Sequence, residues 1–179
     1  MPERAGIASS GQLVTALGRV RVRLRPIGSD EPRPSSPSPY DDWGQIDPRA
    51  ADLDIDRWVI EIFSDEVGSD GPGVTSVGDM TALPVWFGPT TGSMAMNIGI
   101  GIVEGFRGRG IGSIAQGMLA DLLHDRGIVR VQASTDVTNE PEQRALAKAG
   151  FAFEGIAIGA QVRADGRHDL QVWSHVRVL

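Results

Sequence analysis

The sequence contains no cysteine, which excludes disulfide frameworks, zinc ribbons and a cysteine nucleophile. It has no uninterrupted apolar run approaching the ~18 residues of a membrane-spanning helix. The opening Met1-Pro2-Glu3-Arg4-Ala5-Gly6-Ile7 lacks the long apolar centre of a secretory signal, so the chain reads as soluble and cytoplasmic. Positive charge is scarce: 17 Lys and Arg against 23 Asp and Glu leave a net charge of −6. General nucleic-acid binding needs a basic surface and is not expected; no membrane partner is expected either. Lys148 is the only lysine; this arginine bias matches a GC-rich bacterial genome and carries no function of its own. Three histidines lack a His-Glu-x-x-His pattern, so no metal is expected.

What is present suits one globular domain over 1–179, with 41% hydrophobic residues to supply a core. Val20, Val22 and Leu24 alternate with Arg19, Arg21, Arg23 and Arg25, the pattern of a strand whose arginines form a solvated face. Residues 31–39 hold four prolines and four serines or charges between them, which forbids a helix and predicts an extended loop. Residues 57–63 and 73–87 read as a hairpin around Gly68-Ser69-Asp70-Gly71-Pro72. Residues 94–103 form a fourth strand, where Gly99 and Gly101 remove side chains and suggest close approach of a ligand or another backbone.

After Gly112, the apolar Ile111, Ile114, Ala115, Met118, Leu119, Leu122 and Leu123 recur at helical spacing, and Gly127 is the stop signal. Val129, Val131 and Ala133 alternate as a strand. Asn139 with Glu142 has the form of a capping box, opening a helix that closes at Gly150. Residues 151–162 and 168–178 are strands around Asp165-Gly166, a hairpin signal.

The turn Arg107, Gly108, Arg109, Gly110, Ile111, Gly112, Ser113 joins a strand to the longest helix. Glycines let the backbone fold tightly, and the helix start offers unpaired N–H groups and partial positive charge, so a phosphate or pyrophosphate suits it. A P-loop fails because Ile111 stands where its lysine belongs, and the Rossmann pattern fails because the glycines fall at 108, 110 and 112.

In these residues the chain resembles the GCN5-related N-acetyltransferases (GNAT), whose signature Arg/Gln-x-x-Gly-x-Gly/Ala is met by Arg107, Gly110 and Gly112. It is further similar to the branch of ribosomal-protein N-terminal acetyltransferases of the RimJ and RimL type, through Asn139, Gly150-Phe151, Glu154-Gly155, Gly166 with Asp169, and Trp173-Ser174. The resemblance implies an α+β fold (an α/β three-layer arrangement): a mixed, mostly antiparallel central sheet of six to seven strands flanked by helices. It implies acetyl-CoA as co-substrate, its arm pairing with the backbone of Ile100, Gly101 and Ile102, its pyrophosphate on the amides of 108–113, and Asn139 beside the arm. The implied reaction moves an acetyl group to an amine of a protein, a peptide or a small molecule such as an antibiotic.

Amide formation from a thioester needs a neutral amine, oxyanion stabilisation and a proton for the thiolate. At the positions of the branch's acid and base this chain has Glu142 and Gln161, and Gln161 cannot accept a proton. Glu142 is therefore one candidate base and Glu104, at the mouth of the cofactor strand, another; His168 and His175 on the last strand read as structural, and His124 as a solvated cap. The departure leaves a CoA-binding regulator with weak catalysis as the alternative. The family's acceptor-side helices are replaced here by the 31–39 loop, Tyr40-Asp41-Asp42-Trp43 and Asp52, Asp54 and Asp56, an acidic lid suited to a cationic acceptor. Trp173 and Val176 on the last strand suggest pairing across a two-fold axis in a homodimer.

Overall fold

Alternating apolar residues in the first half of the chain build an antiparallel meander: β1 (Val14–Leu17), β2 (Val20–Pro26), β3 (Asp56–Ser64), β4 (Val74–Trp86) and β5 (Met94–Ile102). The computed structural model describes residues 14–17, 20–28, 30–44, 55–64 and 73–177. The turn at 68–72 and Arg19, Asp52 and Asp54 lie outside them. Helix α1 (Ile111–Asp125) then crosses to β6 (Arg130–Asp136), which pairs parallel with β5; a parallel neighbour requires such a crossover. Helix α2 (Glu140–Lys148) leads into the hairpin β7 (Ala152–Arg163) and β8 (Gly166–Val176). The sheet runs β1-β2-β3-β4-β5-β6-β8-β7, an α+β fold with one parallel pair in an otherwise antiparallel sheet.

Two expectations need correction. The described residues contain eight strands rather than six or seven, because Val14–Leu17, too short to show a period, pairs with β2. The last strand is interior: β8 pairs β6 on one side and β7 on the other, so its backbone has no edge to offer a second copy. The edge is β7, which exposes Phe153, Ile156 and Ile158, while Trp173 packs against the core.

One face carries the helices. Val22, Leu24, Ile60, Met80, Ile98 and Val131 point into a single core with Ala115, Leu119 and Leu123 of α1 and Leu146 of α2. The helical spacing read from the sequence puts the apolar stripe of α1 here, and Leu119 is fully buried. Leu119→Ala should cost about 2–5 kcal/mol by the transfer and cavity terms of such a change.

The other face is covered by extended chain. Arg23 and Arg25 both pair with Glu61, which is only 5% exposed, so the predicted solvated arginine face is in part a buried ion network. Arg25 also reaches Glu31 at 2.8 Å, fixing where the proline segment leaves the sheet. Residues 30–44 then run across the sheet as a strap. Arg33 lies 3.5 Å from the buried Asp79, Tyr40 Oη donates to the Thr138 carbonyl at 3.4 Å, and Ala164 N donates to Asp42 O at 3.0 Å. Prolines 32, 34, 37 and 39 keep it extended, so its anchors are side chains and isolated carbonyls rather than ladder bonds.

Candidate active site

The parallel register between β5 and β6 covers only Met96, Asn97 and Ile98 against Val131, Gln132 and Ala133. Beyond it β5 continues to Ile102 and β6 to Asp136 without pairing, so the two strands splay apart. The wedge opens a cleft of about 440 Å³ lined by Asn97, Gly99, Ile100, Ala133, Ser134 and Asp136, closed on the opposite side by Ser38, Tyr40, Asp41 and Trp43 of the strap. Backbone groups on the open flank of β5 can take an amide-bearing ligand as an added strand, the mode in which main-chain bonds supply affinity.

At the end of β5 the chain makes a single 3-10 turn, Glu104–Phe106, and then the glycine turn. Gly108 and Gly110 have φ of +72° and +79°, and a Cβ at either would meet no neighbour. Glycine is needed there for the left-handed backbone, not for space. Gly110 caps α1, and the amides of Ile111, Gly112 and Ser113 precede the first helical bond, from Ile114 N to Gly110 O at 3.3 Å. These donors and the helix dipole are suited to an anion. The Ser113 hydroxyl turns back to Gly110 O at 2.9 Å, and Arg109 lies over the Phe106 ring.

Two assignments change their physical reason. Gly99 and Gly101 do not simply clear a path for a ligand: a Cβ on Gly99 would stand 2.8 Å from Thr81 Oγ1, and one on Gly101 3.1 Å from Asp79 Oδ1, so both make room for β4 side chains on the strap face. The Arg107 side chain leaves the anion site altogether. Its Nε donates to Ile102 O at 2.9 Å and its Nη2 to the Ser36 and Pro37 carbonyls at 3.3 and 3.2 Å. Ser36 Oγ in turn accepts from Glu104 N at 3.1 Å. Arg107 therefore fastens the strap to the end of β5.

The candidate bases part company. Glu104 is exposed on the outer turn and does not line the cleft; nearness to β5 along the chain misplaced it. Glu142 lines the cleft beside Asn139. Only half of the capping box forms: Asn139 Oδ1 accepts from Glu142 N at 3.4 Å, while the Glu142 carboxyl turns inward to accept from Gln116 Nε2 at 2.6 Å. Burial pushes the Glu142 carboxyl up to about 7, against the opposing pull of the Gln116 hydrogen bond. A carboxyl that titrates near neutrality in a cleft is suited to proton transfer.

The far end of the cleft holds a group of residues with little signature in the sequence. Arg163 Nη1 donates to Asp136 Oδ2 at 2.8 Å, both side chains buried, while its Nε donates to Gln161 Oε1 at 2.8 Å. Burial alone would raise the Asp136 carboxyl, but the Thr138 hydroxyl and amide, together with Arg163, hold it below its ordinary range. His168 lies between Asp136 at 3.2 Å and Asp165 at 2.8 Å, and Tyr40 lies under the Arg163 guanidinium. Gln161 thus reaches the cleft wall as an acceptor for Arg163.

His168 stands behind Asp136 and does not line the cleft, and neither do the other two histidines. His124 is buried rather than a solvated cap, bonded to Ile128 O at 2.6 Å and to His175 Nδ1 at 2.8 Å. Burial and the neighbouring His124 depress the His175 pKa. The pair is a core contact against Phe151.

A sheet whose parallel pair splays beside a glycine turn and a helix start defines an α+β domain with a cleft at its centre. The family model for an acetyltransferase (GNAT) domain matches residues 21–152, and the chain belongs to that family. No curated protein matches it. Among solved structures it is similar to Mycobacterium smegmatis RimJ in complex with a CoA disulfide, with TM-score 0.54 and 24% identity over 68% of this chain and 53% of that one. It is also similar to RimL, a ribosomal alpha-N-protein acetyltransferase, in complex with coenzyme A, with TM-score 0.54 and 21% identity over 68% and 62% of the two chains. A Salmonella typhimurium acetyltransferase that modifies an N-terminal serine of a 50S ribosomal subunit protein gives TM-score 0.53 and 20% identity over 69% and 64%. The chain spans about half the length of RimJ and under two thirds of the other two, and at these identities the likeness carries the fold.

Proposed function

We propose that this chain transfers the acetyl group of acetyl-CoA to a primary amine in the cleft between β5 and β6. The observation that carries the reading is the position of Glu142: a half-buried carboxyl titrating near 7 lines the same cleft as the open flank of β5. The anion site at the start of α1 would take the CoA pyrophosphate, and the free flank of Ile100, Gly101 and Ile102 its amide-bearing arm. Glu142 takes a proton from the acceptor ammonium. The neutral nitrogen attacks the thioester carbonyl; the C–N bond forms, the C–S bond breaks, and the second nitrogen proton balances the departing thiolate as free CoA. A regulator that binds CoA without turnover is the second reading, favoured by Gln161, which stands engaged with Arg163 where the branch places its base.

The acceptor is an α-amine or another amine of lowered pKa. An α-amine has a pKa of about 7.7–8.0 and lysine about 10.4, so delivering neutral lysine at one pH costs roughly 3.5 kcal/mol more. A base titrating near 7 is matched to the weaker amine. Asp41 and the exposed Trp43 on the strap favour an acceptor carrying further positive charge, such as a basic peptide terminus or a polyamino compound. A homodimer, if formed, would use the apolar edge of β7. Peptides of matched sequence, each with one free amine, test the acceptor by mass spectrometry: acetylation of the α-amine should outpace that of the lysine. Lysine outpacing every α-amine would overturn this assignment.

A further inference from the structure

Glu142 reaches the cleft from α2, but its carboxyl is held from α1. Gln116 is 1% exposed, within the stripe of α1 that otherwise buries Ala115, Leu119 and Leu123. A leucine would pack there with nothing left unpaired. The amide instead donates through Nε2 to Glu142 Oε1 at 2.6 Å, and its Oε1 is the one buried side-chain polar atom without a partner among the described residues. Buried polar groups in folded proteins nearly always find partners, so a half-satisfied amide needs a reason.

The reason lies in the two states of its neighbour. An ionised carboxylate only accepts hydrogen bonds, so it must meet Nε2. A protonated carboxyl carries a donor and can be met by Oε1. Rotation of the amide by half a turn exchanges the two ends in almost the same volume. We propose that Gln116 is the positioning residue for Glu142, holding its carboxyl at the cleft and turning its amide over as Glu142 loses and gains the proton. The idle Oε1 is the acceptor reserved for the protonated state. Both orientations keep the carboxyl in one place, so the base returns to the same geometry after each proton transfer.

This proposal rests on the reading of Glu142 as the base. The other groups facing the same cleft are Asn139 on α2, Asp136 on β6, Arg163 and Gln161 on β7, and Tyr40 and Asp41 on the strap. Asp136 is bonded to Arg163 and Thr138, which commits it to its ionised form. It does not share the proton of Glu142.

The test is Gln116→Met in the full chain, with Gln116→Leu, which also removes the donor and matches the apolar stripe of α1, as the second variant should the first fail to fold. Two readouts are needed: the carboxyl titration of Glu142 by carbon-detected NMR, and the pH profile of kcat for acetyl transfer to a peptide α-amine. Loss of the Nε2 donor should move the Glu142 titration and the acid limb of the kcat profile upward together, lowering kcat at pH 7 roughly tenfold while activity recovers at higher pH and the acetyl-CoA KM stays put. In the unmodified chain the Gln116 side-chain NH2 resonances should shift with the same midpoint as the Glu142 carboxyl. An unmoved Glu142 titration in both variants, or a uniform fall in kcat at every pH, would overturn the proposal. Glu142→Gln separates the two readings: full activity there ends the base assignment whatever Gln116 does. Activity lost in Glu142→Gln, with an unmoved titration in the Gln116 variants, ends the present proposal alone.

Discussion

The two walls of the cleft are built on opposite plans. The wall proposed for the cofactor is made of secondary structure: a strand, a glycine turn at φ of +72° and +79°, and a helix start, all contiguous in sequence and fixed by backbone. The wall proposed for the acceptor is made of a proline-rich strap held by a few isolated bonds to remote elements, with Ser36 and Pro37 tied to Arg107, Tyr40 to Thr138 and Asp42 to Ala164. A backbone-built wall tolerates side-chain change and keeps one ligand. A wall built from a few tethers can be reshaped by single substitutions, which suits a surface that selects among acceptors.

The comparison breaks most sharply at Gly110. Gly110→Glu places a Cβ at φ of +79° and a carboxylate at the helix start, so acetyl-CoA binding should weaken by at least about 100-fold, while the left-handed backbone costs about 1–2 kcal/mol of stability and lowers the melting temperature by only a few degrees. Isothermal titration with acetyl-CoA checks it; retained binding would remove the turn from the cofactor wall. Next in size, Glu142→Gln should lower kcat by about 100-fold or more, with the acetyl-CoA Kd unchanged, as loss of a general base does.

Smaller effects separate the walls. Arg107→Ala removes the tethers to Ser36 and Pro37 and should raise the acceptor KM roughly five- to tenfold, leaving the acetyl-CoA Kd within about twofold, since each hydrogen bond contributes about 0.5–1.5 kcal/mol. Deleting 31–39 should act in the same direction. Equal losses for donor and acceptor would show that the two walls are one unit.

A separate effect is on stability. The Glu142 pKa is about 7 when folded and near 4.5 unfolded, so between these values the unfolded chain ionises first and the native state loses stability as pH rises. Glu142→Gln removes that loss. The gain of the variant over the parent should grow from pH 4.5 to pH 7 and level off above, reaching about 3 kcal/mol. Thermal melts across that range would show it; a gain that shrinks with pH would contradict the burial of the carboxyl.

Legibility followed the same division. The turn, α1 and the place of β5 could be read because their signals are local: glycine spacing, a helical period and a run of strand formers. The acceptor wall could not, because Arg163 with Asp136 and Arg107 with Ser36 are contacts between residues far apart in sequence. The sequence marked Asn139 and Glu142 as a capping pair, and the cap half-formed; what drew the carboxyl away was Gln116, which the helical period had hidden as one polar residue in an apolar stripe. Glu104 failed for the reverse reason, close in sequence and outside the cleft in space.

The central claim is amine-dependent turnover in this cleft. Acetyl-CoA and a basic peptide with a free α-amine, followed by mass spectrometry and thiol release together, test it most directly. The account predicts one free CoA for each acetylated α-amine, with both signals lost in Glu142→Gln. Tight acetyl-CoA binding with no amine-dependent release of CoA from any peptide or small amine would contradict it and leave the regulator.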